Sequence, residues 1–81
     1  MSRFVLVTDE ENDEPMELPI ENDGTLLMST LVAQFPNACG LRFRNPESNA
    51  WRGIRVSDDR LFPPEDSWSN YTYVTVCPKG Q

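Results

Sequence analysis

Residues Phe4 to Thr8 are β-branched, aliphatic or aromatic on both alternating sets, which predicts a strand covered on two sides or one whose second face stays free for a partner. The acidic stretch Asp9 to Glu14 then makes a turn. Beyond it, Pro15, Glu17 and Pro19 alternate with Met16, Leu18 and Ile20, so that one face enters a core while the other presents a carboxylate. Proline cannot donate to a ladder, and two of them on one strand fit only a sheet edge. The two runs together predict an N-terminal hairpin with an exposed edge.

Asn22-Asp23-Gly24 has turn chemistry, and Thr25 or Ser29 is placed to cap a helix. Leu27, Leu31 and Phe35 fall at i, i+4 and i+8 with Met28 and Val32 beside them, a helical stripe that Pro36 stops. Core packing accounts for this stripe. Leu41 and Phe43 alternate with Arg42 and Arg44 in a half-buried strand closed by Asn45-Pro46. The next strand, Ala50 to Val56, would put Arg52 and Arg55 on opposite faces under strict alternation, and on one side if a bulge sits at Gly53. A polar loop containing Pro63-Pro64 comes next, with a short strand at Arg60 to Phe62, and the last strand runs from Tyr71 to Cys77 before Pro78. Strand, strand, helix and three or four further strands make an α+β chain, with the pattern of a ubiquitin-like β-grasp: a mixed sheet crossed by one main helix.

At 81 residues there is room for one domain, assigned to 1–78, with 79–81 as the start of a linker. Thirteen acidic against seven basic residues leave a net charge of −6, the wrong sign for holding nucleic acid through its phosphates. No histidine is present, which removes the commonest general base, and an enzyme is not expected. Asp9, Glu11 and Asp13 resemble the opening of a calcium loop, but Pro15 and a missing glycine spoil that pattern, so neither metal nor cofactor is expected. Neither a signal peptide nor a membrane span is apparent, and the chain reads as intracellular with no membrane partner. Cys39 and Cys77 are expected to be free, buried thiols, with a disulfide or a reactive role as the alternatives.

Charge is distributed unevenly. Eight acids and no Lys or Arg lie between Phe4 and Leu41, whereas five arginines lie between Arg42 and Arg60 against Glu47, Asp58 and Asp59. Two readings are open: solvated faces and partners within one molecule, or complementary poles through which copies join head to tail. The choice of arginine over lysine suits the second, since guanidinium forks pair bidentately with carboxylates.

The runs Glu11-Asn12-Asp13-Glu14-Pro15, Asp23-Gly24-Thr25, Ala33-Gln34-Phe35-Pro36, Ala38-Cys39-Gly40-Leu41-Arg42 and Arg44-Asn45-Pro46, with Arg52-Gly53 later, closely resemble the N-terminal domain family of the TAR DNA-binding proteins. The resemblance covers essentially the whole chain. It implies a ubiquitin-like, DIX-like domain that assembles head to tail with copies of itself, in nuclear RNA-binding splicing regulators that also shuttle to the cytoplasm. RNA and DNA are then bound by domains absent from this chain. By position, the resemblance assigns an acidic interface to Glu14, Glu17 and Glu21 with Gln34 nearby, and the complementary surface to Arg52 and Arg55. Ser48 matches an interface position whose phosphorylation weakens assembly, as a phosphate facing carboxylates would. Arg3, Leu6 and Trp51 depart from the family pattern. The runner-up reading is a monomeric ubiquitin-like adaptor that offers its acidic edge to a basic peptide.

Overall fold

The computed structural model describes residues 4–9, 14–65, 67–69 and 71–78. In chain order these form β1 (Phe4–Thr8), β2 (Met16–Pro19), β3 (Leu26–Leu27), α1 (Met28–Gln34), β4 (Gly40–Arg44), β5 (Trp51–Gly53), β6 (Val56–Ser57), β7 (Arg60–Leu61) and β8 (Thr72–Val76). Five strands make one mixed sheet in the order β2-β1-β8-β4-β5, and β3-β7-β6 make a small second sheet. The chain is therefore a small α+β domain. Strand β8 lies in the middle, parallel to β1 with Val7 beside Tyr73, and antiparallel to β4 with Leu41 beside Thr75.

Alternation decides which side chains enter the core. Val5, Val7, Leu18, Leu41, Phe43 and Tyr73 point from the sheet toward α1, where Leu31 is fully buried. Strand β2 is an outer strand, as expected for a strand ending in Pro19, with Leu18 buried and Glu17 exposed. Phe43 stacks on Tyr71 at 4.5 Å between ring centroids, and Trp68 meets Tyr73 edge-on at 5.2 Å. The Tyr73 hydroxyl donates to the Trp68 carbonyl at 2.7 Å, and Trp68 Nε1 donates to the Gly24 carbonyl at 2.9 Å. Through this relay the central strand holds both the 67–69 segment and the 22–24 turn. In that turn Asp23 Oδ1 accepts from the Thr25 N–H at 3.0 Å and from its hydroxyl at 2.6 Å, while Arg60 donates to Asp23 Oδ2 at 3.4 Å.

Several expectations change. The helix begins at Met28, so Leu27 belongs to β3 and not to the helical stripe, and neither Thr25 nor Ser29 caps the helix. The Met28 N–H donates instead to the Asp59 carbonyl at 2.8 Å, a backbone partner from the β6–β7 turn, and Thr25 is engaged by Asp23. The strand expected over 50–56 divides into β5 and β6, with no bulge at Gly53: the Ile54 N–H still reaches the Leu41 carbonyl at 2.9 Å, and the chain then leaves the ladder. Cys39 and Cys77 are free but exposed, not buried, because they lie just outside the ends of β4 and β8. Most of the acidic turn after β1, Arg3, and the 79–81 linker fall outside the described residues.

Burial pushes the Tyr73 hydroxyl well above the ordinary tyrosine range, with the neighbouring Tyr71 adding to the shift. Its neutral form stabilises the fold fully below about pH 10, and that contribution is lost as pH rises above the value for an unfolded tyrosine. Tyr73→Phe is expected to cost about 1–3 kcal/mol at pH 7, since the buried Trp68 carbonyl loses its donor, and to flatten the alkaline loss of stability seen by urea denaturation. Asp23 behaves in the opposite sense: the Thr25 hydrogen bonds, with help from Arg60, hold its carboxyl below the usual range. That contribution is present above about pH 4 and disappears as pH falls. Melting temperatures recorded from pH 6 to pH 3 should therefore fall less steeply for Asp23→Asn than for the parent chain.

Candidate functional site

The five arginines do not form one surface. Arg42 and Arg44 alternate with buried Leu41 and Phe43, so they project from the sheet face that α1 leaves uncovered. There both guanidinium groups lie over the Trp51 ring, 4.6 and 4.8 Å from its centroid. Arg60 is committed to Asp23 and Thr25. Arg52 and Arg55 remain, and they line one groove of about 750 Å³ together with Gly53, Phe62, Pro63 and Pro64. The two come to the same side because the chain turns out of the sheet after Gly53; the Phe62 N–H donates to the Arg55 carbonyl at 2.9 Å and holds that exit. Arg55 sits over Phe62 at 5.3 Å from the ring centroid, and Arg52 is 4.0 Å from the exposed carboxylate of Glu65. Both arginines are exposed. Asp23 also lines this groove, so one of the eight acids of the N-terminal half belongs to the cationic side.

A second groove, of about 460 Å³, runs between β2 and α1. Met16, Leu18 and Ala33 supply apolar walls, and Glu17 and Gln34 supply the polar ones. Glu14 precedes β2 and is exposed, while Glu21 lies just after it, half-buried, with its backbone in the turn through Glu21 N–H to Thr25 carbonyl and Gly24 N–H to Glu21 carbonyl bonds. Glu14, Glu17 and Glu21 are thus gathered on and around β2. The arginine groove is at β5. These are the two outer strands of the five-stranded sheet, separated by four interstrand spacings, or about 19 Å.

Ser48 lies exposed in the connection between β4 and β5 and lines neither groove. That connection is held by Asn45 N–H to Ala50 carbonyl and Asn49 N–H to Asn45 carbonyl bonds of 2.8 and 2.6 Å, and by Arg44 donating to the Asn49 carbonyl at 3.0 Å. Of the seven residues assigned to the interface from the sequence, Glu17 and Gln34 share one groove and Arg52 and Arg55 share the other. Phe62, Pro63, Pro64 and Glu65 were not assigned, although the Pro63-Pro64 pair signals a stiff wall at that place. Among the described residues no group of three His, Cys, Asp or Glu side chains is placed to hold a metal ion, and no helix is long and apolar enough to cross a membrane.

The arrangement suits recognition by charge and shape at two separated places. Comparison with known proteins agrees with the sequence runs. The chain is 43% identical over 81 residues to Tar DNA-binding protein homolog 1 of Caenorhabditis elegans; that alignment covers 96% of this chain and 19% of the relative, so the chain spans about a fifth of the relative's length. Residues 4–77 match the family described as TAR DNA-binding protein 43, N-terminal domain, and the chain belongs to that family.

Proposed function

We propose that this domain is a non-catalytic module through which copies of the chain join head to tail, the β2–α1 groove of one copy receiving the arginine groove of the next. The observation that carries the proposal is the placement of Glu17 and Gln34 at one edge of the sheet and of Arg52 and Arg55 at the other. Two different surfaces on opposite edges cannot satisfy each other within one copy, and a heterologous contact between copies propagates. Glu14 and Glu21 flank the acidic groove and extend its field. Ser48, on the arginine side, faces the carboxylates of the neighbouring copy. The strand order, with parallel β1 and β8 in the centre and a helix after the first hairpin, supports a ubiquitin-like, DIX-like β-grasp for the same unit.

Membership of the family supports the wider role: a nuclear RNA-binding protein, active in splicing and other mRNA processing and in transcription regulation, whose RNA-binding domains lie elsewhere in the full chain. Linking those domains raises their effective concentration on one RNA, so avidity rises without a new RNA contact.

Exposed carboxylate–guanidinium pairs contribute about 0–1 kcal/mol each and are screened by salt. Self-association measured by sedimentation should therefore weaken gradually as ionic strength increases. Glu17→Arg and Arg52→Glu are each expected to lower self-affinity more than tenfold with the fold intact, because both side chains are exposed. An equimolar mixture of the two should yield a discrete heterodimer, since one variant keeps its arginine groove and the other its acidic groove. Monomers throughout, with the parent chain also monomeric at low salt, would remove the assembly reading and favour an adaptor for a basic peptide. Ser48→Glu should weaken assembly while Ser48→Ala leaves it unchanged.

A further inference from the structure

Arg52 stands opposite Phe43 in the β4–β5 register, so its side chain leaves β5 on the same side of the sheet as that buried ring. There it meets the segment that follows β7. This segment is anchored at both ends: the Phe62 N–H donates to the Arg55 carbonyl at 2.9 Å, and Trp68 Nε1 donates to the Gly24 carbonyl at 2.9 Å. Pro63 and Pro64, whose rings fix φ, stiffen the path between the anchors, and Glu65 turns it at a φ of 69°. The Glu65 carboxylate is thereby set at the rim of the arginine groove, with Oε2 4.0 Å from Arg52 Nη1.

We propose that Glu65 is an internal competitor for Arg52, which lowers the affinity of the arginine groove for the carboxylates of a second copy. This inference rests on the head-to-tail reading above and adds the residue that sets the strength of the contact. A carboxylate from the acidic groove of the next copy pairs best when it takes the guanidinium fork of Arg52 with both oxygens, and Glu65 already stands beside that fork. Until Glu65 moves aside, the incoming acid also meets a like charge at the rim. Displacement is easy, because the Glu65 side chain is 85% exposed and water solvates the freed carboxylate. Glu65 therefore adjusts the affinity of the groove without closing it.

The test uses the heterodimer of Glu17→Arg and Arg52→Glu, in which the first variant lends its arginine groove and the second its acidic groove. Glu65→Gln preserves size and removes the charge. Added to the Glu17→Arg copy, it is expected to tighten the heterodimer about two- to fivefold in low-salt sedimentation, within the range of one exposed ion pair. Added to the Arg52→Glu copy, it should leave the affinity unchanged, since the arginine groove of that copy is idle. The same charge is removed in both arrangements, so a simple effect of net charge gives equal changes. A heterodimer that Glu65→Gln does not tighten, or tightens equally from either copy, overturns the proposal and leaves the assembly reading standing. Failure of the heterodimer to form, with the parent chain also monomeric, removes the assembly reading and this inference with it.

Discussion

Everything in this domain depends on β8 entering the centre of the sheet. The N-terminal hairpin of β1 and β2 and the C-terminal pair of β4 and β5 have no ladder with each other; each pairs only with β8. Tyr73 is the residue that makes the insertion favourable. It is completely buried, lies against Phe43 and Trp68, and places its one polar atom on the Trp68 carbonyl. Because the last strand must join the first, most of the chain has to be ordered before the core closes. The separation of the acidic and arginine grooves is a direct result, for β8 and its two neighbours are what stands between them.

Strands β1, β2, β4 and β8 and their faces were legible in the sequence because alternation is a local signal. Leu18 against Glu17, and Leu41 and Phe43 against Arg42 and Arg44, are sorted by period alone, and Pro15 and Pro19, before and at the end of β2, announce an outer strand. The start of the helix was not legible, because the donor of Met28 is satisfied by the carbonyl of Asp59, thirty-one positions later and visible only after folding. Leu27 fits a helical stripe equally well by spacing, and its pairing with Arg60 decides for a strand. The cysteines misled for a similar reason. Their apolar character suggests burial, but each lies one step past a strand end.

The charge pattern shows how far counting extends. Among the described residues, Glu14, Glu17 and Glu21 lie at or beside the β2 edge and Arg52 and Arg55 at the β5 edge, while Asp23 crosses to the arginine side. Counting could not tell which charges were already engaged. Asp23 and Arg60 neutralise each other across the 22–24 turn and contribute to architecture, while Arg42 and Arg44 are laid over Trp51. Among the five arginines between 42 and 60, Arg52 and Arg55 are the pair that combines exposure with a common groove. Their convergence comes from where β5 stops, a feature of chain path that alternation over 50–56 does not contain.

The two outer strands are short, and one of them ends in a proline, so neither offers a long free edge to another strand. An edge that could accept another strand would invite open-ended hydrogen-bonded sheets, which are slow to dissociate and prone to become fibrous. Here Pro19 removes a donor from β2, and β5 ends after three residues with the bulky Trp51 and Arg52 on it. Backbone-to-backbone extension is thereby discouraged at both ends of the sheet, and contact is left to side chains in solvated grooves. Side-chain contacts of that kind between exposed charged groups weaken with salt, whereas backbone ladders between chains do not come apart so readily.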